Sequence, residues 1–279
     1  MRLALLILLT MSAFASNSLL NRVAVDSGAI SAPLFALIRV GAGAVTLAGL
    51  AFWQRRALSF SGGWRAIGAV GLALYMVGFS LAYIHLDAGL GALVLFGVVQ
   101  IALFGAASIN GAGASLRQII STCVAFGGLV LLLWPTETAP VQPWAVCAMV
   151  FAALGWSVYT LAGRQERDIL AGSAANFILA TPLVLAPALV VGFGQSPAAL
   201  GFVLALVSGA VTSGLGYALW YWILPQITAT FAATVQLSAP VLALLGGVLL
   251  LGEPLTVRLA LGAAIVVGGI AWALPRKGT

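Results

Sequence analysis

Apolar residues run through this chain in long stretches separated by short polar, proline or glycine breaks. Ten stretches are long enough to be membrane-spanning helices: 3–20, 30–53, 66–84, 90–109, 115–134, 143–162, 173–193, 198–222, 228–250 and 256–274. A span needs about 20 mostly apolar residues. Gly28 and Pro33 flank the start of the second helix, and Arg55, Arg56 and Gly62-Gly63 separate the second from the third. Pro135 to Pro143 divides the fifth from the sixth, and Arg164 to Asp168 the sixth from the seventh. Gln195-Ser196-Pro197, Pro225 and Glu253-Pro254 supply the closing breaks. Loops this short hold no separate soluble domain.

Composition agrees with the pattern. Charged residues are 6% of the 279 and apolar ones 62%, whereas a soluble domain carries about a quarter charged residues. The chain is therefore all-α and polytopic, with the lipid bilayer as its surroundings. The net charge of +6 is no nucleic-acid signal, because membrane proteins collect Lys and Arg in cytoplasmic loops. Cys123 and Cys147 lie in apolar runs without metal-ligand spacing and read as packing residues. Met1 to Ala15 has the outline of a secretory signal, but the repeat described next uses this segment as its first helix.

With the N-terminus inside, Arg2, Arg55, Arg56, Arg65, Arg117, Arg164, Arg167, Arg276 and Lys277 are cytoplasmic, Arg22 and Arg258 are outside, and Arg39 is within a helix. This bias predicts two cytoplasmic termini in the inner (plasma) membrane of a cell. The outside pair belongs to an internal repeat. Arg22 and Arg164, Asp26 and Asp168, and Phe14 and Trp156 are each 142 residues apart. Arg117 and Arg258, and the pairs Gly127-Gly128 and Gly268-Gly269, are 141 apart, while Gln100 and Gln236 are 136 apart across an indel. The predicted units are 1–137 and 138–279, with five helices each, so the second is inverted relative to the first. Inverted repeats are a common plan for secondary transporters, with a substrate site near the midplane where the repeats meet.

Particular residues carry a family resemblance. Phe14-Ala15-Ser16-Asn17 and Leu37-Ile38-Arg39 in the first half, and Ala153 to Tyr159, Ser238-Ala239-Pro240-Val241 and Leu251 to Thr256 in the second, resemble the EamA family of the drug/metabolite transporter superfamily. So do Gly262 and Gly268-Gly269 near the end. The resemblance implies ten helices, cytoplasmic termini and metabolite export. The aromatic-rich second half is similar to YddG-type amino-acid exporters. The first half departs from the pattern, with Asn110-Gly111-Ala112-Gly113 where the second has its Gly-Glu turn.

Within the helices, Arg39 lies about nine residues into its span, roughly 13 Å deep. A charge there suggests function. It would meet a substrate carboxylate, or it would bond backbone carbonyls and hold the fold. Tyr75 and Phe79 share a face, as do Trp156 with Tyr159 and Tyr217 with Trp220. Such rings line a substrate pocket or simply pack. Asn17, Gln100 and Gln236 need partners in lipid, either a ligand head group or another helix. His85 is a candidate proton site or an interfacial residue. Pro240, Gly246 and Gly247 make the ninth helix a candidate hinge. Glu253 before Pro254 reads as start chemistry for the tenth helix.

The expected function is export of small metabolites, most readily aromatic or other neutral amino acids, by alternating access around a central cavity. The partners are a small-molecule substrate and lipid, with no nucleic acid, no cofactor, no metal and a functional monomer. Export of other metabolites or drugs is the alternative. An intramembrane enzyme would need a metal cluster, paired acids or a nucleophile with its base; one histidine and six acids, all in loops or at helix ends, do not provide these. No filter motif for a channel is present. Without a carboxylate inside the helices, cationic substrates and strong proton coupling are not expected.

Overall fold

The computed structural model describes residues 2–109, 116–133, 141–163, 165–194, 196–223, 226, 235–236 and 238–273. Pro225, the first turns expected of the ninth helix, Arg164, Arg276, Lys277 and the boundary between the expected repeats lie outside them. The described residues form ten helices and no strand: α1 (Arg2–Asp26), α2 (Ala32–Trp53), α3 (Gly63–Ala82), α4 (Ala88–Ile109), α5 (Leu116–Leu133), α6 (Pro143–Gly163), α7 (Ile169–Val191), α8, α9 (Ser238–Leu251) and α10 (Val257–Ala273). Helix α8 begins as Ala199–Val207, widens into a π-helix over Ser208–Leu215 and closes as Gly216–Ile223. By length and composition, α1, α2, α3, α6, α7 and the continuous run Ala199–Trp220 can each cross a membrane. The other four contribute shorter apolar stretches, such as Ala88–Leu103. Large apolar side chains, among them Phe52, Val190, Leu249 and Leu250, stand exposed on the outside of the bundle, as a lipid-facing surface requires. Cys123 and Cys147 are exposed too, which corrects their expected place in the packing.

Capping sets several boundaries. Pro33 stands in the first turn of α2, where its missing N–H costs nothing. Asp168 Oδ1 accepts from Ala171 N at 3.1 Å and starts α7 four residues before the apolar run expected from 173. Thr256, not Pro254, caps α10: its Oγ1 accepts from Leu259 N at 3.1 Å. Helix α1 continues to Asp26 rather than stopping near residue 20, so Arg22 and Asp26 share its last turns, 3.0 Å apart.

Two ends of the bundle can be told apart by their contacts. At the Asp87 end, Arg22 of α1 meets Asp87 before α4, and Glu253 before α10 meets Ala88. Ser31 Oγ donates to Phe193 O at 2.8 Å there, and His85 sits edge-on to Trp144. At the opposite, Asp168 end, Arg56 pairs with Asp168 at 2.9 Å and Arg65 with Glu166 at 2.8 Å. Two arginines at the Asp87 end are tied to helix C-termini, where backbone carbonyls lack partners. Arg22 donates to the Tyr83 and Ile84 carbonyls after α3, and Arg258 to those of Leu131 and Leu132 at the end of α5.

The helix pairs are reciprocal. Helix α3 packs on α6 as α8 packs on α1; α3 crosses α7 as α8 crosses α2; α4 lies on α6 as α9 lies on α1. The pairs α2 with α7, α4 with α9 and α5 with α10 pack directly. Glycine lets the backbones approach at the most extensive crossing, α3 with α6. A Cβ on Gly155 would stand 2.6 Å from the Gly71 carbonyl oxygen and 2.7 Å from Tyr75 N. Gly155→Val is therefore expected to destabilise the protein by about 1–3 kcal/mol through overpacking. Thermal unfolding in detergent should show a clear fall in Tm for Gly155→Val and none for Leu249→Ala on the exposed surface. Equal Tm values for Gly155→Val and wild type would contradict this packing.

Candidate functional site

A cavity lies among five helices. Phe14, Asn17 and Ser18 of α1, Tyr75 and Phe79 of α3, and Leu95 and Phe96 of α4 line it, and Trp156 of α6 and Tyr217 of α8 complete it. It is nearly collapsed. Its volume, traced by the centres of water-sized spheres, is about 20 Å³, close to what one water needs. The rings form a continuous arc. Centroids of Phe79 and Tyr75 are 5.2 Å apart, Tyr75 and Trp156 5.0 Å, Trp156 and Tyr217 5.3 Å, and Tyr217 and Phe14 5.6 Å. Phe14 and Tyr217 are perpendicular, and edge-to-face packing of this kind is favourable.

Behind the arc lies Arg39, fully buried on α2. Its Nε donates to Ser213 Oγ at 3.1 Å and its Nη2 to Tyr75 Oη at 2.8 Å. The guanidinium sits over the Tyr75 and Phe79 rings, 5.1 and 4.8 Å from their centroids, a cation–π arrangement. Its Nη1 has no hydrogen-bond partner among the described residues. Asn17, also buried, accepts hydrogen bonds at Oδ1 from Ser208 at 2.8 Å, Thr212 at 2.6 Å and Ser213 at 3.4 Å. The π-helical segment of α8 presents these three hydroxyls together. Gly209 lets that segment touch the backbone of Arg39, and π-helical turns are frequent at functional sites.

The candidate residues separate into groups. Asn17, Tyr75, Phe79, Trp156 and Tyr217 line the cavity together. Arg39 backs it. Tyr159 stands one layer out, its hydroxyl 2.8 Å from Ser173 Oγ and its ring against Trp156. Trp220 packs edge-on to Phe14. Gln100 is buried on α4 one turn beyond Phe96, outside the lining, and Gln236 is half-buried before α9. His85 is exposed at the Asp87 end against Trp144, away from the cavity. Pro240 falls in the first turn of α9, where its missing N–H is tolerated. Gly246 and Gly247 serve close approach: Gly246 admits the Leu19 side chain of α1, and Gly247 admits the Glu253 carboxylate.

Glu253 makes a contact that sequence patterning misses. Its Oε1 accepts from Ala88 N at 2.6 Å and its Oε2 from Gly89 N at 3.4 Å. It thus caps α4 from the α9–α10 turn, an arrangement the helix dipole favours. The capping-box spacing that would reveal a local cap is absent, because donor and acceptor are 165 residues apart. With Leu244 against Gly89 and Leu19 against Gly246, this contact closes α1, α4 and α9 together at the Asp87 end. Burial raises the Glu253 pKa above the usual carboxylate range and Asp87 adds to the rise, while the Ala88 and Gly89 amides and Arg22 oppose it.

Comparison with known proteins adds to the geometry. A model described as the EamA-like transporter family matches residues 143–274, from α6 into the end of the chain. An uncharacterized protein of Pseudomonas aeruginosa is 47% identical over 99% of this chain and 96% of its own. An uncharacterized transporter of Archaeoglobus fulgidus is 25% identical over 74% of each chain. The uncharacterized transporter YoaV of Bacillus subtilis is 30% identical over 45% of this chain and 44% of its own. One crystal structure superposes with a TM-score of 0.67 over 98% of this chain and 97% of the other, at 18% identity, which shows a shared fold.

The raised pKa of Glu253 has a definite sign. Stability linked to its proton is fully present below the ordinary glutamate pKa and lost as pH rises through the raised value. The Tm of wild type relative to Glu253→Gln should therefore climb as pH is lowered through that window. A difference that stays constant with pH would contradict the burial of this carboxyl.

Proposed function

The chain belongs to the EamA-like transporter family, a drug/metabolite-type membrane transporter, and from that premise we propose that it exports neutral amino acids with apolar or aromatic side chains. The observation that carries this reading is the cavity itself. Five aromatic rings from α1, α3, α6 and α8 surround it, with Phe96 of α4 beside them, and hydrogen-bonding groups stand at one edge. Rings of this kind accept an apolar side chain, and the polar edge orients a head group. None of the acids among the described residues lines the cavity, in keeping with neutral rather than cationic substrates.

The proposed organisation is two inverted five-helix units, 1–137 and 138–279. The reciprocal helix pairs support it, since α3 on α6 and α8 on α1 exchange under that relation. The basic residues favour an orientation with both termini cytoplasmic and the Asp87 end outside. In that orientation the outer end is the closed one. Alternating access then requires α4 and α9 to separate from α1 and from each other outside, releasing Glu253 from the α4 amides. Pro240 at the start of α9 is the proposed place for α9 to bend. The nearly collapsed cavity fits a resting state that must expand to admit substrate. A monomer contains both proposed units, and transport is proposed to run down the substrate gradient.

Purified protein in liposomes tests this. Labelled phenylalanine or leucine should exchange across the bilayer with no ion gradient imposed. Transport that appears only under a pH step would contradict the facilitated mechanism, and no amino-acid exchange under any condition would contradict the substrate class. Trp156→Ala and Tyr217→Ala should each change the ranking of aromatic against aliphatic substrates while leaving the protein folded. Unchanged ranking in both would return these rings to a packing role.

A further inference from the structure

We propose, building on the transporter reading above, that the cavity recognises a carboxylate and leaves the amine unread, so that its substrates are apolar or aromatic monocarboxylates with or without an α-ammonium group. The inference comes from counting the donors and acceptors at the polar edge. Asn17 Oδ1 already accepts three hydroxyl hydrogen bonds, so its amide N–H groups are what it can offer the cavity. Tyr75 Oη accepts from Arg39, which leaves the phenolic hydrogen to donate. Ser213 Oγ accepts from Arg39 Nε and donates to Asn17, so it is used in both directions. Arg39 Nη1 is buried with no partner among the described residues. The polar edge therefore holds spare donors and one positive charge, while the acceptors left to it are neutral hydroxyl oxygens such as that of Ser18.

Such an edge complements a group that accepts hydrogen bonds at several lone pairs and carries one negative charge. An ionised carboxylate does this, because it accepts at two oxygens and donates nothing. Arg22, Arg56 and Arg65 pair with carboxylates, whereas Arg39 has none among the described residues. A buried charge without a counter-ion is costly, and a substrate carboxylate supplies the missing partner. One cation with two neutral donors suits a monoanion better than a doubly charged phosphate ester. An ammonium group finds no anionic partner: among the described residues no carboxylate lines the cavity, and the guanidinium already sits against the Tyr75 and Phe79 rings. The Trp156, Tyr217 and Phe14 rings remain for the apolar body.

Tyr75 is the residue to vary. Arg39 ties α2 to α3 and α8, so its removal risks the fold, whereas Tyr75→Phe keeps the ring and deletes one hydroxyl, the donor to the cavity and one of the two acceptors of Arg39. Ligand binding to purified protein in lipid nanodiscs is measured for phenylalanine, phenylpyruvate, phenylpropionate, phenethylamine, phenylalaninamide and the neutral phenylpropanol. The three carboxylates should bind within about threefold of one another, and the two amines lacking a carboxylate at least about tenfold more weakly, the scale of one charge-assisted hydrogen bond. Tyr75→Phe should weaken the carboxylates about tenfold and leave phenylpropanol unchanged. If phenylalanine binds while phenylpyruvate and phenylpropionate do not, the amine is read and this proposal falls, with the amino-acid reading intact. If the two carboxylates lacking an amine bind and phenylalanine does not, the amine is excluded rather than unread, and both this proposal and the amino-acid reading fall. Amines binding as well as carboxylates, equal loss of phenylpropanol in Tyr75→Phe, or no binding by any carboxylate would each overturn it.

Discussion

A buried guanidinium without a carboxylate is the constraint around which this bundle is arranged. Arg39 lies near the middle of α2 and is fully buried. An isolated charge moved into a low-dielectric interior costs several kcal/mol even after relaxation. The protein offsets that cost with one hydroxyl from α8, one phenol from α3 and two ring faces. Each partner fixes a neighbouring element. Ser213 holds the π-helical part of α8 against α2, and Tyr75 sets the ring arc on α3. Through Ser213 the network reaches Asn17 on α1, so four helices are positioned by one side chain and its relays.

The same economy of polar groups governs the two ends of the bundle. Charged residues are few, and those described are mostly tied to specific backbone or side-chain partners. Arg22 and Arg258 satisfy carbonyls at helix C-termini, which accounts physically for cations at the end where the charge bias predicts few. Glu253 satisfies amides at the start of α4. Because that contact joins the turn before α10 to α4, it is strong only when α4 and α9 are together. Its carboxyl, raised by burial, belongs to the closed arrangement of that end.

Much of this was legible from the chain itself. Long apolar runs report spans because lipid leaves backbone groups no alternative to helices. The ring faces on α3 and α8 follow from helical spacing, and the depth of Arg39 from counting residues. What could not be read depends on contacts between distant segments. Glu253 looked like local start chemistry for α10, yet its partners are across the bundle and Thr256 does the capping. Gly246 and Gly247, candidates for a hinge, each make room for a named side chain. The hydroxyls of Ser208, Thr212 and Ser213 were passed over because each is unremarkable alone. Only a π-helical turn brings all three to Asn17. His85, a candidate proton site or an interfacial residue by sequence, is exposed at the Asp87 end, as the interfacial alternative has it.

The central claim is that substrate sits inside the ring arc with its polar end at the Arg39 network. A structure determined with para-bromophenylalanine tests this most directly, because anomalous scattering places the bromine independently of the protein phases. The account predicts bromine among Phe14, Trp156 and Tyr217, with the carboxylate within hydrogen-bonding distance of Tyr75 Oη or Asn17 Nδ2. Bromine outside the arc, or a carboxylate turned away from both groups, would contradict it.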